Sequence, residues 1–318
     1  MPPAPPAPPE PPAESSLPGE PARRPQLGFV YAPPFRVQGI SIAGEESVVA
    51  VPELDVCFDI GSCPKAVLPS PYVALTHGHM DHVAGIAYYF SQRPFQGMSP
   101  GTVVCPPSLL DGLDGLMKAW QRIERQKTPY TLTPLADGEM LEVKNNHFLR
   151  PFRTVHTVPS CGYSVLEKRT KLRPELVGMP QEEIVRRKAA GERIVDTRFV
   201  PLVSYTGDTG WGEHLLIPEV LECRVLITEC TFLERGHRRR AGVGKHLHLD
   251  HVVELVEKTS EHTDVVLTHL SRRTHMNDAR KALAAALPPE AAHRVHLLMD
   301  NRTNRERFAR QQEEALKP

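Results

Sequence analysis

Residues 75–85 read LTHGHMDHVAG, and they place His77, His79, Asp81 and His82 within six consecutive positions. A lone histidine is ordinarily a hydrogen-bonded surface or core residue. Four ionisable groups this close lose solvation and crowd one another unless cations compensate them. The run YVALTH reads as a strand ending at His77, and DHVAGIAYYF reads as the start of a helix. A strand-to-helix turn aims His77 and His79 at one point and Asp81 and His82 at a neighbouring one, which suits two metal ions. Imidazole and carboxylate donors without thiolate fit zinc, or another borderline divalent ion such as manganese or iron.

A two-ion site needs further ligands, and three apolar runs each end in a candidate. FRTVHT delivers His156, VSYTGDT delivers Asp208 and VVLTHL delivers His269. Asp208 has two oxygens and can bridge a pair of ions; its ordinary alternative is a turn residue in TGDTG.

The rest of the chain must position these groups. At 318 residues it has ample length for a large core, and its 38 basic and 38 acidic residues give no overall attraction to polyanions. Residues 1–27 are proline-rich and are expected to form an extended, disordered tail. They contain no apolar export segment, and no later run approaches membrane-spanning length, so a cytoplasmic protein without a membrane segment is expected. Six cysteines without CxxC spacing read as reduced packing residues. From Gly28 to about residue 300, short β-branched runs such as ESVVAVPE, LDVCFDIG, TVVCP and RVLITEC alternate with helical patterns, which predicts a layered α/β domain. One helix is expected after Ser108, with Asp111 completing a capping box and Leu110, Leu113, Leu116, Met117, Trp120 and Ile123 forming its apolar stripe. Another is expected at HLDHVVELVEKT, striped by Leu249, Val252, Val253 and Val256. A short basic insertion occupies about 167–198, and 301–318 reads as a charged helix or tail.

THGHMDH with the later His156, Asp208 and His269 resembles the metallo-β-lactamase superfamily, which implies a four-layered αβ/βα sandwich. The order of FRVQGISIAGEE, THGHMDHVAGI, FRTVHTVPSCGYSV, SYTGDTG, ITECTFLE, GKHLHLDHVVE and THLSRR is similar to ribonuclease Z, the tRNA 3′-processing endonuclease, in its short, plant-like form. FDIGSCP differs from the acidic, glycine-rich loop that many members of that family carry there.

The resemblance implies that His77, His79 and His156 bind one zinc and that Asp81, His82 and His269 bind the second, with Asp208 between them. Two ions so held would activate a water for attack on a phosphodiester. His246 matches the family's catalytic histidine and would protonate the leaving ribose oxygen, with Glu229 orienting it; Asp81 counts with these two among the catalytic residues. His248 reads as a helix-start surface residue. Ser271 and Arg273 would contact phosphate, and Arg239 and Lys245, in the cluster ERGHRRRAGVGKH, would contact RNA. The implied partners are precursor tRNA and a second copy of the chain. Two alternatives stay open at this point: a hydrolase of a small, cyclic-nucleotide-like phosphodiester, and a non-catalytic RNA-binding member of the superfamily.

Overall fold

The computed structural model describes residues 26–317, so the proline-rich tail expected over residues 1–27 falls almost wholly outside the described residues. The β-branched runs assemble into two seven-stranded sheets. The first contains, side by side in chain order, β1 (Gly28–Ala32), β2 (Phe35–Ile42), β3 (Glu46–Val51), β4 (Val56–Phe58), β5 (Tyr72–Ala74), β6 (Thr102–Cys105) and β7 (Thr131–Pro134). The second contains β8 (Leu141–Lys144), β9 (His147–Arg153), β10 (Cys161–Leu172), β11 (Val195–Tyr205), β12 (Val225–Glu229), β13 (Asp264–Thr268) and β14 (Val295–Leu297). Each sheet is antiparallel through its first four strands and parallel through its last four.

Parallel neighbours need crossovers, and helices supply most of them. On the first sheet these are α1 (Met80–Val83), α2 (Ile86–Phe95) and α3 (Leu110–Glu124). The insertion carries α4 (Gln181–Ala189). On the second sheet they are α5 (Pro218–Leu221), α6 (Arg238–Gly244), α7 (Leu249–Lys258), α8 (Met276–Ala286) and α9 (Pro289–Ala292), and α10 (Asn301–Ala315) packs back on β1. One buried cluster, including Phe58, Val104, Val203, Tyr205 and Ile227, lies between the sheets. A second joins the first sheet to its helices through Val73, Ile86, Phe90 and Met117; a third joins the other sheet to α7 and α8 through Leu226, Val252, Leu267 and Leu283. The order helix, sheet, sheet, helix is the αβ/βα sandwich. Strands buried on both faces explain why runs such as VVAV and VLIT show no polar alternation.

Two local expectations are corrected. Ser108 does not cap α3: Pro106 and Pro107 lead into a 3₁₀ turn, Leu109 becomes the N-cap, and no side chain caps the helix. Of the α3 stripe only Leu113 and Met117 are buried, while Leu116, Trp120 and Ile123 are exposed. The insertion is a ribbon in which β10 and β11 pair from Leu166↔Pro201 to Leu172↔Val195. Much of its positive charge is matched locally, by Arg169–Glu167, Arg173–Glu175, Arg186–Glu183, Arg187–Glu183 and Arg193–Asp196.

Candidate metal centre

The carboxyl ends of β4, β5, β11, β12 and β13 open at the same edge of the sandwich, and a chemically active side chain stands at or just after each: Asp59, His77, Asp208, Glu229 and His269. His156 reaches the same place from the loop after β9, three residues beyond the strand that the sequence extended to it. His79 is the N-cap of α1, and Asp81 and His82 lie within that helix, which breaks at Gly85. A side chain at Gly85 would collide with the Ile60 carbonyl. Asp59 and His269 both have positive φ, 54° and 56°, a costly backbone geometry for non-glycine residues that surrounding contacts must hold.

All seven side chains that the sequence nominated for metal come together. His77, His79 and His156 form one group of donors, and Asp81, His82 and His269 another; in each group the donor atoms lie within 4.8 Å of one another. Asp208 Oδ2 lies between them, 3.2 Å from His269 Nε2, 3.4 Å from His82 Nε2, 3.9 Å from His77 Nε2 and 4.0 Å from His156 Nε2.

The tautomers follow from what each Nδ1 touches. His82 Nδ1 donates to Asp59 Oδ2 at 2.7 Å and His156 Nδ1 donates to the Lys245 carbonyl at 3.1 Å. His77 Nδ1 faces Thr76 Oγ1 and His269 Nδ1 faces Thr231 Oγ1, both at 2.9 Å. With a proton on Nδ1 alone, as ligation of a cation would require, all four rings would present an Nε2 lone pair to the centre. Those of His82 and His269 are buried and have no hydrogen-bond partner. His77 Nε2 and His156 Nε2 approach His79 Nδ1 to 3.0 and 3.2 Å. Zinc–nitrogen bonds of about 2.0–2.1 Å in a tetrahedron imply nitrogen–nitrogen edges of roughly 3.3 Å. The donors therefore fit a divalent cation.

The charge balance points the same way. Burial and then the neighbouring His82 push the His77 pKa down to about 2, which keeps it a neutral donor. Burial works to raise Asp208, but His269 and His82 outweigh it and hold this carboxyl well below its usual range. Burial likewise opposes ionisation of Asp81, yet the approach of His269 Nε2 to 3.5 Å and the charge of His82 bring it to about 2. In the metal-free protein burial disfavours a proton on His82, but Asp208 and Asp59 draw one onto it. A bound cation would take over that role.

His246 stands at the rim, its ring stacked on His269 at 5.3 Å, with Nδ1 donating to Glu229 Oε1 at 3.0 Å. Burial lowers its pKa, and the hydrogen bond and charge of Glu229 more than reverse this, so the net shift is upward. Glu229 also accepts from Thr209 N, Thr231 Oγ1 and Leu247 N. His248 is buried rather than on the surface: it caps α7 by accepting from Asp250 N and donates to the Glu234 carbonyl. Lys245 is committed to the site's frame, its Nζ donating to the His156 carbonyl at 2.8 Å. Ser271 Oγ accepts from Arg273 N, Arg272 pairs with Glu45, and Arg273 and Arg239 are exposed with no ion pair among the described residues.

Sequence reasoning missed Asp59, Thr76, Tyr205, Thr231 and the Gly44 hairpin. Asp59 accepts from His82, from Thr76 N and Oγ1, and from Tyr205 Oη at 3.0 Å; Gly44 N donates to Asp81 Oδ2 at 3.0 Å. The available signal was an aspartate ending an apolar run in FDIG, the pattern already used for Asp208.

The chain matches the family described as Beta-lactamase superfamily domain over residues 62–270. It is 34% identical over 256 residues to tRNase Z TRZ2, chloroplastic, of Arabidopsis thaliana, covering 78% of this chain and 71% of that protein. It is 30% identical over 272 residues to tRNase Z TRZ1 of the same plant, covering 83% and 95%. Among solved structures, the metallo-beta-lactamase fold protein YhfI from Bacillus subtilis superposes with a TM-score of 0.54 at 14% identity, covering 85% of this chain and 93% of that one; this likeness concerns the fold.

Proposed function

The chain belongs to the β-lactamase superfamily and, within it, to the ribonuclease Z family, and on that premise we propose that it is the endonuclease that removes the 3′ trailer of precursor tRNA. Two zinc ions would be held by the seven nominated side chains, one by His77, His79 and His156, the other by Asp81, His82 and His269, with Asp208 shared. When bound, such ions supply Lewis acidity, lowering the pKa of water and neutralising phosphate charge.

The chain's own groups do the rest. Asp59, Thr76, Thr231 and the Lys245 carbonyl fix the ring tautomers that leave Nε2 free. His246, its Nδ1–H held by Glu229, keeps Nε2 available to deliver a proton to the leaving ribose oxygen. Arg273 and Arg239 are the exposed cations offered to phosphates. The observation that carries the reading is the pair of buried, partnerless Nε2 atoms of His82 and His269 beside a rim histidine held by a carboxylate.

The exposed Leu116, Trp120 and Ile123 of α3 support the homodimer reading by giving it an apolar face. All six cysteines are free, in keeping with a reducing cytoplasm, and no helix among the described residues is long and apolar enough to cross a membrane.

The test is cleavage of a labelled precursor tRNA carrying a 3′ trailer, with the cut mapped to the nucleotide, beside His77→Ala and His246→Ala proteins and elemental analysis of bound metal. A cut after the discriminator base, lost in both variants, is expected. Intact precursor, with metal bound and bis(p-nitrophenyl) phosphate hydrolysed, would transfer the site to a small phosphodiester substrate.

A further inference from the structure

One hydrogen-bond pattern occurs in both halves of the sandwich. In the first half, Asp59 accepts His82 Nδ1–H directly and accepts the Thr76 hydroxyl at 3.0 Å, while that hydroxyl lies 2.9 Å from His77 Nδ1. In the second half, Glu229 accepts His246 Nδ1–H directly and the Thr231 hydroxyl at 2.5 Å, while that hydroxyl lies 2.9 Å from His269 Nδ1. An ionised carboxylate only accepts, so each threonine proton points to the carboxylate and each threonine lone pair faces an imidazole N–H. The 3.5 Å from Thr231 Oγ1 to His246 Nδ1 is too long to compete, and His246 gives its single Nδ1 proton to Glu229.

The two halves differ in what the directly bonded ring does. His82 is fully buried, and its Nε2 faces the metal donors. His246 sits at the rim, its side chain 18% exposed, where a substrate oxygen can reach it. We propose that Thr231 is a positioning residue that couples the two functions of the second half. Its one hydroxyl fixes the His269 ring for metal ligation and, through Glu229, fixes His246 for proton delivery. Thr231 is buried, 7% exposed, and its hydroxyl is spent on these neighbours, so it acts through them. The inference rests on the proposed function, because it takes His269 as a ligand and His246 as the proton donor.

Thr231→Val keeps the shape of the side chain and deletes the hydroxyl; Thr231→Ser keeps the hydroxyl and deletes the methyl. Apo-protein of each form is titrated with Zn²⁺ against a chromophoric chelator. The valine form is expected to bind zinc about 10- to 100-fold more weakly, and the serine form to recover most of the wild-type affinity. At saturating zinc, cleavage of precursor tRNA is then compared with hydrolysis of bis(p-nitrophenyl) phosphate. The ribose oxygen needs a proton to leave and p-nitrophenolate does not, so the valine form should lose about tenfold or more in the ratio of the two rates.

Zinc affinity within twofold of wild type in the valine form overturns the proposal. So does a serine form as weak as the valine form, which would assign the effect to methyl packing. Weakened zinc with an unchanged rate ratio refutes the coupling. Should the valine protein fail to fold, Thr231→Ala deletes the same hydroxyl without an added branch and is judged by the same criteria. If wild-type protein binds zinc yet leaves precursor tRNA intact, the substrate assignment has failed, and the zinc titration still decides whether Thr231 holds His269.

Discussion

Asp59 offers the sharpest separation between folding and metal binding. Its carboxylate is fully buried and accepts four hydrogen bonds, from His82 Nδ1, Thr76 N, Thr76 Oγ1 and Tyr205 Oη. Asp59→Ala strands those four donors, at about 1–3 kcal/mol each, a total of roughly 4–12 kcal/mol. A domain has only about 5–15 kcal/mol of stability in all, so the alanine protein is expected to be largely unfolded. Asp59→Asn keeps the volume and one accepting oxygen, but its NH₂ confronts the His82 Nδ1 proton. The ring is then driven to the other tautomer, with a proton on Nε2 facing Asp208 and Asp81, 3.4 and 3.6 Å away, instead of a lone pair. Loss of such an orienting bond weakens metal affinity by about 10- to 100-fold, or ~1.4–2.8 kcal/mol. Zinc titration against a chromophoric chelator measures this, and thermal melting of the apo-protein checks that the asparagine form is folded. A folded asparagine protein that binds zinc within twofold of wild type would refute the argument that Asp59 sets the His82 tautomer.

Three further outcomes are expected. Because Glu229 raises the His246 pKa, His246 keeps its proton to higher pH, and precursor cleavage should fall on the alkaline side as that proton is lost; Glu229→Gln should move this limb to lower pH in a kcat/KM profile. Chelation should lower the melting temperature, since an ion at a hundred times its Kd adds about 2.7 kcal/mol, worth roughly 4–5 °C in a domain of this size; a melt unchanged by chelator would contradict the metal reading. Arg273→Ala should raise KM for precursor tRNA severalfold with kcat nearly kept, while Arg272→Ala, whose guanidinium already pairs with Glu45, should change steady-state kinetics little.

The candidate metal donors that the fold brings together were legible in the sequence because each rests on local pattern. His77, His79, Asp81 and His82 sit on one short turn, and His156, Asp208 and His269 each end an apolar run, so neither inference required knowing which strands pair. The strands that no local signal marked are mostly at sheet edges or in hairpins, such as β7, β8 and β14, where pairing with a distant neighbour decides the conformation. The α3 cap failed for a related reason: Ser108 has the right spacing, but Pro106 and Pro107 set a different path for the backbone.

By itself, then, the order of residues determined the donor types and the layered α/β class, since these follow from hydropathy period and coordination chemistry, while the allotment of the donors to two positions was implied by the family resemblance. Only the tertiary structure decided which nitrogen of each ring faces the centre. His77 takes its partner from the adjacent Thr76, but for the other rings that choice rests on atoms far away in the chain: Asp59 is 23 residues from His82, Thr231 is 38 from His269, and Lys245 is 89 from His156. A ring proton goes to whichever acceptor the folded sheets bring within reach, and no spacing rule contains that information.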